Sequence, residues 1–170
     1  AIIISKRAAS PIRAGAEALR VMLCKLNLGP VVIIELDSAC KRLPLNMKGK
    51  HVLVLGTPDQ FALAGTLAKK AGLQVTDKAL NGDGFIIKPL KQGRRQILLV
   101  TSPVARGVLY GAYELEERTS KRGVPKIDQP FVPAVRYRGW PMHVFSDEPP
   151  DAMGRWRLNI SMAWSEFFNS

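Results

Sequence analysis

Short apolar runs alternate along this chain with stretches whose apolar positions recur at helical spacing, and that alternation sets its elements. Ser10-Pro11 opens a first helix, with serine expected as the cap and proline suited to the first helical position. From there Ile12, Leu19, Leu23 and Leu26 share one face and Arg13, Glu17, Arg20 and Asn27 the other. Gly29-Pro30 is the expected stop. Val31 to Leu36 reads as a strand, followed by a basic loop containing Pro44 and Gly49. His51 to Leu55 is a second strand, nearly continuous in apolar character, as a buried strand is. Gly56-Thr57-Pro58 then turns the chain into a helix with Phe61, Ala64, Leu67, Ala68 and Ala71 on its inner face, closed by Gly72.

Asn81-Gly-Asp-Gly84 is a turn signal before the strand Phe85–Lys88, and Lys91-Gln-Gly-Arg94 makes a hairpin into the strand Gln96–Thr101. Next comes the most informative phrase of the chain, Arg106-Gly-Val-Leu-Tyr-Gly-Ala-Tyr-Glu-Leu-Glu-Glu117, preceded by Pro103. At 100° per residue Val104, Gly107, Val108, Gly111 and Leu115 fall on one helix face. Glycines four apart on that face let the helix backbone lie close against a sheet. Leu109, Tyr110 and Tyr113 point elsewhere, so this helix is expected to have a second neighbour as well.

The order α-β-β-α-β-β-α, with a leading strand at Ile2–Ile4, predicts an α+β fold: one mixed β-sheet with helices packed on it. A strictly alternating, doubly wound fold fits less well, because the last two strands read as a hairpin. Composition changes near Gly123, where three prolines and no helical period mark an ordered linker. Residues 1–128 are therefore expected to form one domain, and residues 129–170 a linker and the start of another. In that second piece Val135–Phe145 reads as a strand, Asp151–Leu158 as a short helix and Asn159–Trp164 as a second strand.

With 46% apolar residues the chain has enough to build a core, and no apolar run approaches a membrane span. The net charge is +11, which suits an anionic polymer or a soluble surface. Basic pairs are scattered as Lys6-Arg7, Lys41-Arg42, Lys69-Lys70, Arg94-Arg95 and Lys121-Arg122, without a helix-turn-helix, zinc-finger or RNP signature, which argues against nucleic acid. Cys24 and Cys40 form no Cys-x-x-Cys pair, and with His51 and His143 the chain's two histidines, no zinc site is expected. Leu55-Gly-Thr-Pro58 lacks the glycine pattern and lysine of a phosphate loop and reads as a tight turn. Arg106, early in a helix, gains nothing from the macrodipole and is expected in a salt bridge or a contact to an adjoining domain. Glu114, Glu116 and Glu117 read as a solvated helix flank.

The glycine-spaced helix resembles one in the small domain that precedes the catalytic barrel of exo-acting glycoside hydrolases, the β-N-acetylhexosaminidases and α-glucuronidases. The likeness extends through His51–Thr57 and Asp83–Lys88 to Tyr137-Arg-Gly-Trp140 and Trp156–Ile160, over about residues 30–165. It implies a non-catalytic N-terminal domain followed by the first strands of a truncated (β/α)8 barrel, in a chain that acts on carbohydrate and needs no cofactor. It also implies a periplasmic or secreted setting. Under this resemblance Asp147, Glu148 and Glu166 follow the presumed barrel strands, but the acid would come from a later strand, so no catalytic residue is assigned. Arg138 matches an arginine that holds the terminal sugar, a role suited to a planar, permanently charged fork. The following Trp140-Pro-Met-His departs from the hexosaminidase pattern. Trp164 is the preferred sugar platform over Trp140 and Trp156, and His143 reads as structural. The missing barrel of the parent chain is the natural partner, and exposed apolar positions within residues 130–170 predict self-association. The alternative is a stand-alone basic module that binds acidic glycans or nucleic acid.

Overall fold

The computed structural model describes the chain except residues 46, 48, 125–126, 137–138, 144–156, 158–159 and 165–170. It divides into two compact units, Ala1–Pro133 and Ala134–Ser170. The first holds β1 (Ile2–Ser5), α1 (Ser10–Lys25), β2 (Ile33–Leu36), β3 (His51–Gly56), α2 (Ala62–Lys70), β4 (Phe85–Gln92), β5 (Arg95–Thr101), α3 (Ala105–Arg118) and β6 (Gln129–Phe131). Its sheet runs β2-β1-β3-β5-β4-β6. The first four of these strands are parallel; β4 returns antiparallel beside β5, and β6 pairs antiparallel with β4. This is the expected mixed sheet with helices on it.

Alternation along the strands builds a core on each face. Ile2, Ile4, Leu55, Phe85, Ile87 and Val100 meet α1 and α3, while Ile3, Val52, Val54, Ile97 and Leu99 meet α2. The leading strand, only four residues long, turns out to be fully buried between β2 and β3. The hairpin between β4 and β5 turns at Gly93, whose φ of 61° is open to glycine at no steric cost. Strand β4 runs on through Pro89, four residues past the expected end. Proline is tolerated there because β6 pairs only with Phe85–Ile87, leaving that side of β4 open.

Two helix ends differ from expectation. Ser10 lies inside α1 and Ala9 is the cap residue, with no side-chain bond, so Pro11 rather than a serine hydroxyl defines the start. At the other end Asn27 (φ 55°) takes the left-handed position, and the Leu28 N–H donates to the Leu23 carbonyl at 3.1 Å. The helix thus closes two residues before Gly29. Helix α2 begins at Ala62 and closes at Gly72 as expected, with Leu73 N–H donating to Ala68 O at 3.0 Å.

Helix α3 lies where its glycines place it. A Cβ on Gly111 would stand 2.6 Å from Val100 Cγ1 and 3.1 Å from Phe85 Cδ2. One on Gly107 would stand 2.1 Å from Ser102 Oγ and 2.7 Å from the Asp83 carbonyl oxygen. The second neighbour is α1, whose Gly15 in turn faces Ala112 at 2.9 Å from an added Cβ. Glycines thus thin the packing at both the helix–sheet and the helix–helix interface.

The second unit contains a separate two-stranded parallel sheet, β7 (Gly139–His143) and β8 (Ile160–Trp164). Its register runs from Gly139 opposite Ile160 to His143 opposite Trp164. A parallel pair requires a crossover connection, as the expected strand–helix–strand unit does. The helix expected at Asp151–Leu158 falls almost wholly outside the described residues.

Candidate functional site

Buried polarity in the first unit concentrates at one edge of the sheet. Ser5 ends β1, Thr57 follows β3, Thr101 ends β5 and Ser102 follows it, and Asp83 precedes β4; all five are buried. The edge is the carboxyl end of the parallel strands, where open α/β sheets place ligand crevices. Here most of these groups serve the backbone. Thr101 Oγ1 donates to Gly56 O at 2.9 Å, and Ser102 Oγ donates to Gly84 O at 2.8 Å. Ser5 Oγ accepts from the Arg7 N–H at 3.1 Å. The Thr57 hydroxyl is buried with no hydrogen-bond partner among the described residues. Its turn is the tight strand-to-helix turn expected there.

Arg106 Nε reaches Asp83 Oδ2 at 3.3 Å, with the carboxylate side chain 1% exposed and the arginine 47%. The salt bridge expected of Arg106 is therefore internal to this unit, and it ties the first turn of α3 to the loop ahead of β4. The Asp83 partner was legible only as part of a turn signal. Glu114 departs from expectation: it is buried, not solvated, and pairs with Arg118. It stands three residues after Gly111 and seven after Gly107, so it belongs to the glycine stripe, a placement the helical period does contain. On the outer face of α1, Arg20 holds the Glu17 carboxyl below its ordinary range through a 2.9 Å hydrogen bond.

The segment leading out of this unit is fastened to it. Expected as linker, Gln129–Phe131 is instead a sixth strand. Phe131 stacks on Phe85 with ring centroids 4.7 Å apart, and the Arg118 guanidinium lies 5.5 Å from the Phe131 ring centre. Asn81 Nδ2 donates to the Pro133 carbonyl at 2.8 Å, and Lys88 Nζ pairs with Asp128 at 2.6 Å. Pro130 is acceptable in this strand because it lies at the sheet's edge.

Of the residues assigned to sugar binding, Arg138 lies outside the described residues. So do Asp147, Glu148, Trp156 and Glu166. Trp164 ends β8 at the register position opposite His143, the carboxyl end of the parallel pair. Among the described residues no group of three or more His, Cys, Asp or Glu could hold a metal ion, and no helix is long and apolar enough to cross a membrane. Cys24 is exposed, Cys40 is partly buried, and both are free thiols.

With this geometry in place the chain can be compared with known proteins. No curated protein matches it. Among solved structures it is similar to a family GH115 4-O-methyl-α-glucuronidase with specificity for decorated arabinogalactans, at a TM-score of 0.62 and 16% identity. That likeness, a likeness of fold, covers 95% of this chain and 24% of the other, so the chain spans about a quarter of that enzyme's length. The model of the glycosyl hydrolase family 67 N-terminus matches residues 17–115. That span runs from mid-α1 to the last turn of α3 and takes in the glycine-notched helix, the Asp83–Arg106 pair and more than half of the 170 residues. The chain belongs to the glycosyl hydrolase family 67 N-terminus family.

Proposed function

We propose that this chain is the non-catalytic N-terminal domain of an α-glucuronidase-type glycoside hydrolase, followed by the first strands of its (β/α)8 barrel. The observation that carries the reading is the match of residues 17–115 to the N-terminus of a glycosyl hydrolase family. It favours part of an enzyme over a stand-alone module. The parallel pairing of β7 with β8 supports the barrel start, since barrel strands are parallel and joined by crossovers. On this reading the N-terminal domain includes β6 and ends at Pro133, and the barrel piece takes up residues 134–170. Arg138 precedes β7 and would hold hydroxyls of the terminal sugar with its planar fork. Trp164, at the carboxyl end of β8, would be the aromatic residue that meets the sugar. The acid and base that hydrolysis requires would come from strands this chain does not contain.

Assaying the 170-residue chain and the longer gene product on decorated arabinogalactan and on other polysaccharides that carry terminal glucuronic acid tests the reading. Release of the uronic acid by the longer product alone is the expected result. Hydrolysis by the 170-residue chain itself, or a stop codon directly after Ser170 with no hydrolase partner, would refute it.

A further inference from the structure

The positive charge of this protein is distributed unevenly at two levels. Residues 1–133 carry twenty-one lysines and arginines against ten carboxylates, whereas residues 134–170 carry four arginines against four carboxylates, so the first unit holds the whole +11. Within the first unit Glu17 pairs with Arg20, Glu35 with Arg13, Asp83 with Arg106, Glu114 with Arg118 and Asp128 with Lys88, and Asp77, Glu116 and Glu117 are engaged as well. Asp37 and Asp59 follow β2 and β3, at the carboxyl edge of the sheet.

The opposite edge, where the parallel strands begin, collects unpaired cations. Lys50 immediately precedes β3, and its carbonyl accepts from Gln96 N–H at 2.7 Å. In the register across the sheet His51 stands opposite Gln96, and Gln96 opposite Lys91, so His51 and Lys91 share a row and Lys50 lies one residue beyond it toward the edge. Arg94 occupies the hairpin tip beside that row. Helices α1 and α2 run back from the carboxyl edge and end toward this same edge with Lys25 and with Lys69-Lys70. All six cations are exposed, and none pairs with a carboxylate among the described residues. Compensation of the helix macrodipoles accounts for part of this, because two helix C-termini present roughly one negative charge together. It accounts for Lys25, Lys69 and Lys70 but not for Lys50, Lys91 and Arg94, which lie on strands and a turn.

We propose that this amino-end pole of the first unit is a docking surface for an acidic polysaccharide, one that bears uronic-acid carboxylates along its chain. The identity of the polyanion rests on the glycosidase reading; the charge distribution does not. Five of the six cations are lysines, mobile point charges suited to carboxylates spaced at intervals rather than to the bidentate grip that arginine gives phosphates. The exposed large hydrophobic residues of the first unit are Leu28, Val32, Leu45, Val124 and Val132, none of them aromatic. Among the described residues of this edge the exposed ring is that of His51, beside the cations, which gives single-stranded nucleic acid little to stack on. Such a pole would hold the enzyme on a charged polymer while the barrel searches it for ends.

The test is affinity electrophoresis of the 170-residue chain through gels containing polygalacturonate, neutral dextran or double-stranded DNA. Two variants of equal charge are compared. One carries Lys69→Gln, Lys70→Gln, Lys91→Gln and Arg94→Gln at the pole; the other carries Lys6→Gln, Arg7→Gln, Lys41→Gln and Arg42→Gln elsewhere. The wild type should be retarded by polygalacturonate and not by dextran, and retardation should fade as salt rises. The pole variant should bind about tenfold more weakly, with a shallower salt dependence, and the other variant within about twofold of wild type. Equal losses in both variants would mean diffuse charge and overturn the proposal, as would no retardation of the wild type. Tighter, pole-dependent binding to DNA at equal charge concentration would assign the surface to nucleic acid instead. Polygalacturonate retention in a protein whose longer product cleaves no glycan would reject the enzyme reading while leaving the pole in place. Cleavage without retention would do the reverse.

Discussion

Replacing Gly107 by alanine puts the packing of α3 to a direct test, because helix propensity and sterics predict opposite signs. An alanine in place of an interior helical glycine normally stabilises by about 1 kcal/mol. At Gly107 the new methyl would lie 2.1 Å from Ser102 Oγ and 2.7 Å from the Asp83 carbonyl oxygen. The serine would have to give up its bond to Gly84 O, leaving a buried carbonyl unsatisfied at a cost of about 2 kcal/mol. The backbone oxygen has no rotamer to escape into, and overpacking adds about 2 kcal/mol more. The net expectation is a loss of about 3 kcal/mol, on the order of 10 °C in Tm for a unit of this size. At Gly111 the close neighbours are the side chains of Val100 and Phe85 rather than backbone, so alanine there should cost less, about 2 kcal/mol. Far-UV circular dichroism during urea and thermal unfolding reads mainly the first unit, which contains the three helices of the described residues. Ser102→Ala adds an internal control: by removing the closest atom, it should cost about 1 kcal/mol less in the Gly107→Ala background than alone. A Gly107→Ala protein as stable as wild type, or strictly additive effects in that cycle, would refute the reasoning.

Three further outcomes are expected from the same contacts. Arg106→Ala removes a cation from a carboxylate that is 1% exposed and keeps other partners, and half the arginine is in water, so the expected loss is about 1–2 kcal/mol by urea titration. Phe131→Ala removes a ring that both Phe85 and Arg118 engage, and should open the segment around β6 to proteolysis well before the rest of the first unit unfolds; unchanged cleavage there would count against the anchor. The apolar positions Val132, Phe145, Ile160, Phe167 and Phe168 predict association of this chain through residues 130–170, and sedimentation as a clean monomer at high concentration would argue against it.

Elements with an unambiguous period were legible from the chain alone. The α1 and α2 faces, the β4–β5 hairpin and the two-sided packing of α3 all come from spacing, since a 3.6-residue period and a two-residue period cannot be confused over that length. The features that escaped were decided by tertiary context. The strand expected at Ile2–Ile4 is present, but it is too short to show a period, and only its burial on both faces makes it the second strand of the sheet. Pro89 argues locally against a strand and is overruled because the edge beside it is open. The same holds for Gln129–Phe131, whose flanking prolines read as linker until β4 supplies a partner. Glu114 read as solvated because glutamate usually is; a buried glutamate needs a counter-ion, and Arg118 one turn on provides it.

These context-dependent pieces are mechanically continuous with the legible ones. Gly111 has no side chain, so α3 lies close enough to the sheet for Phe85 to sit beneath it. Phe85 occupies the first position of β4, where its ring stacks on Phe131, and Phe131 ends the last strand before the unit's boundary. Arg118, at the end of the same helix, covers the other reach of that ring. The glycine that identifies the helix in sequence therefore also fixes where the chain leaves the domain. A larger residue at Gly111 would move Phe85, and Phe85 cannot move without carrying the Phe131 stack with it. Close helix–sheet packing and the fastening of the exit strand are one constraint, which is why a two-glycine helix and a proline-rich exit can be read together as a domain built to hold its outgoing strand in a fixed place.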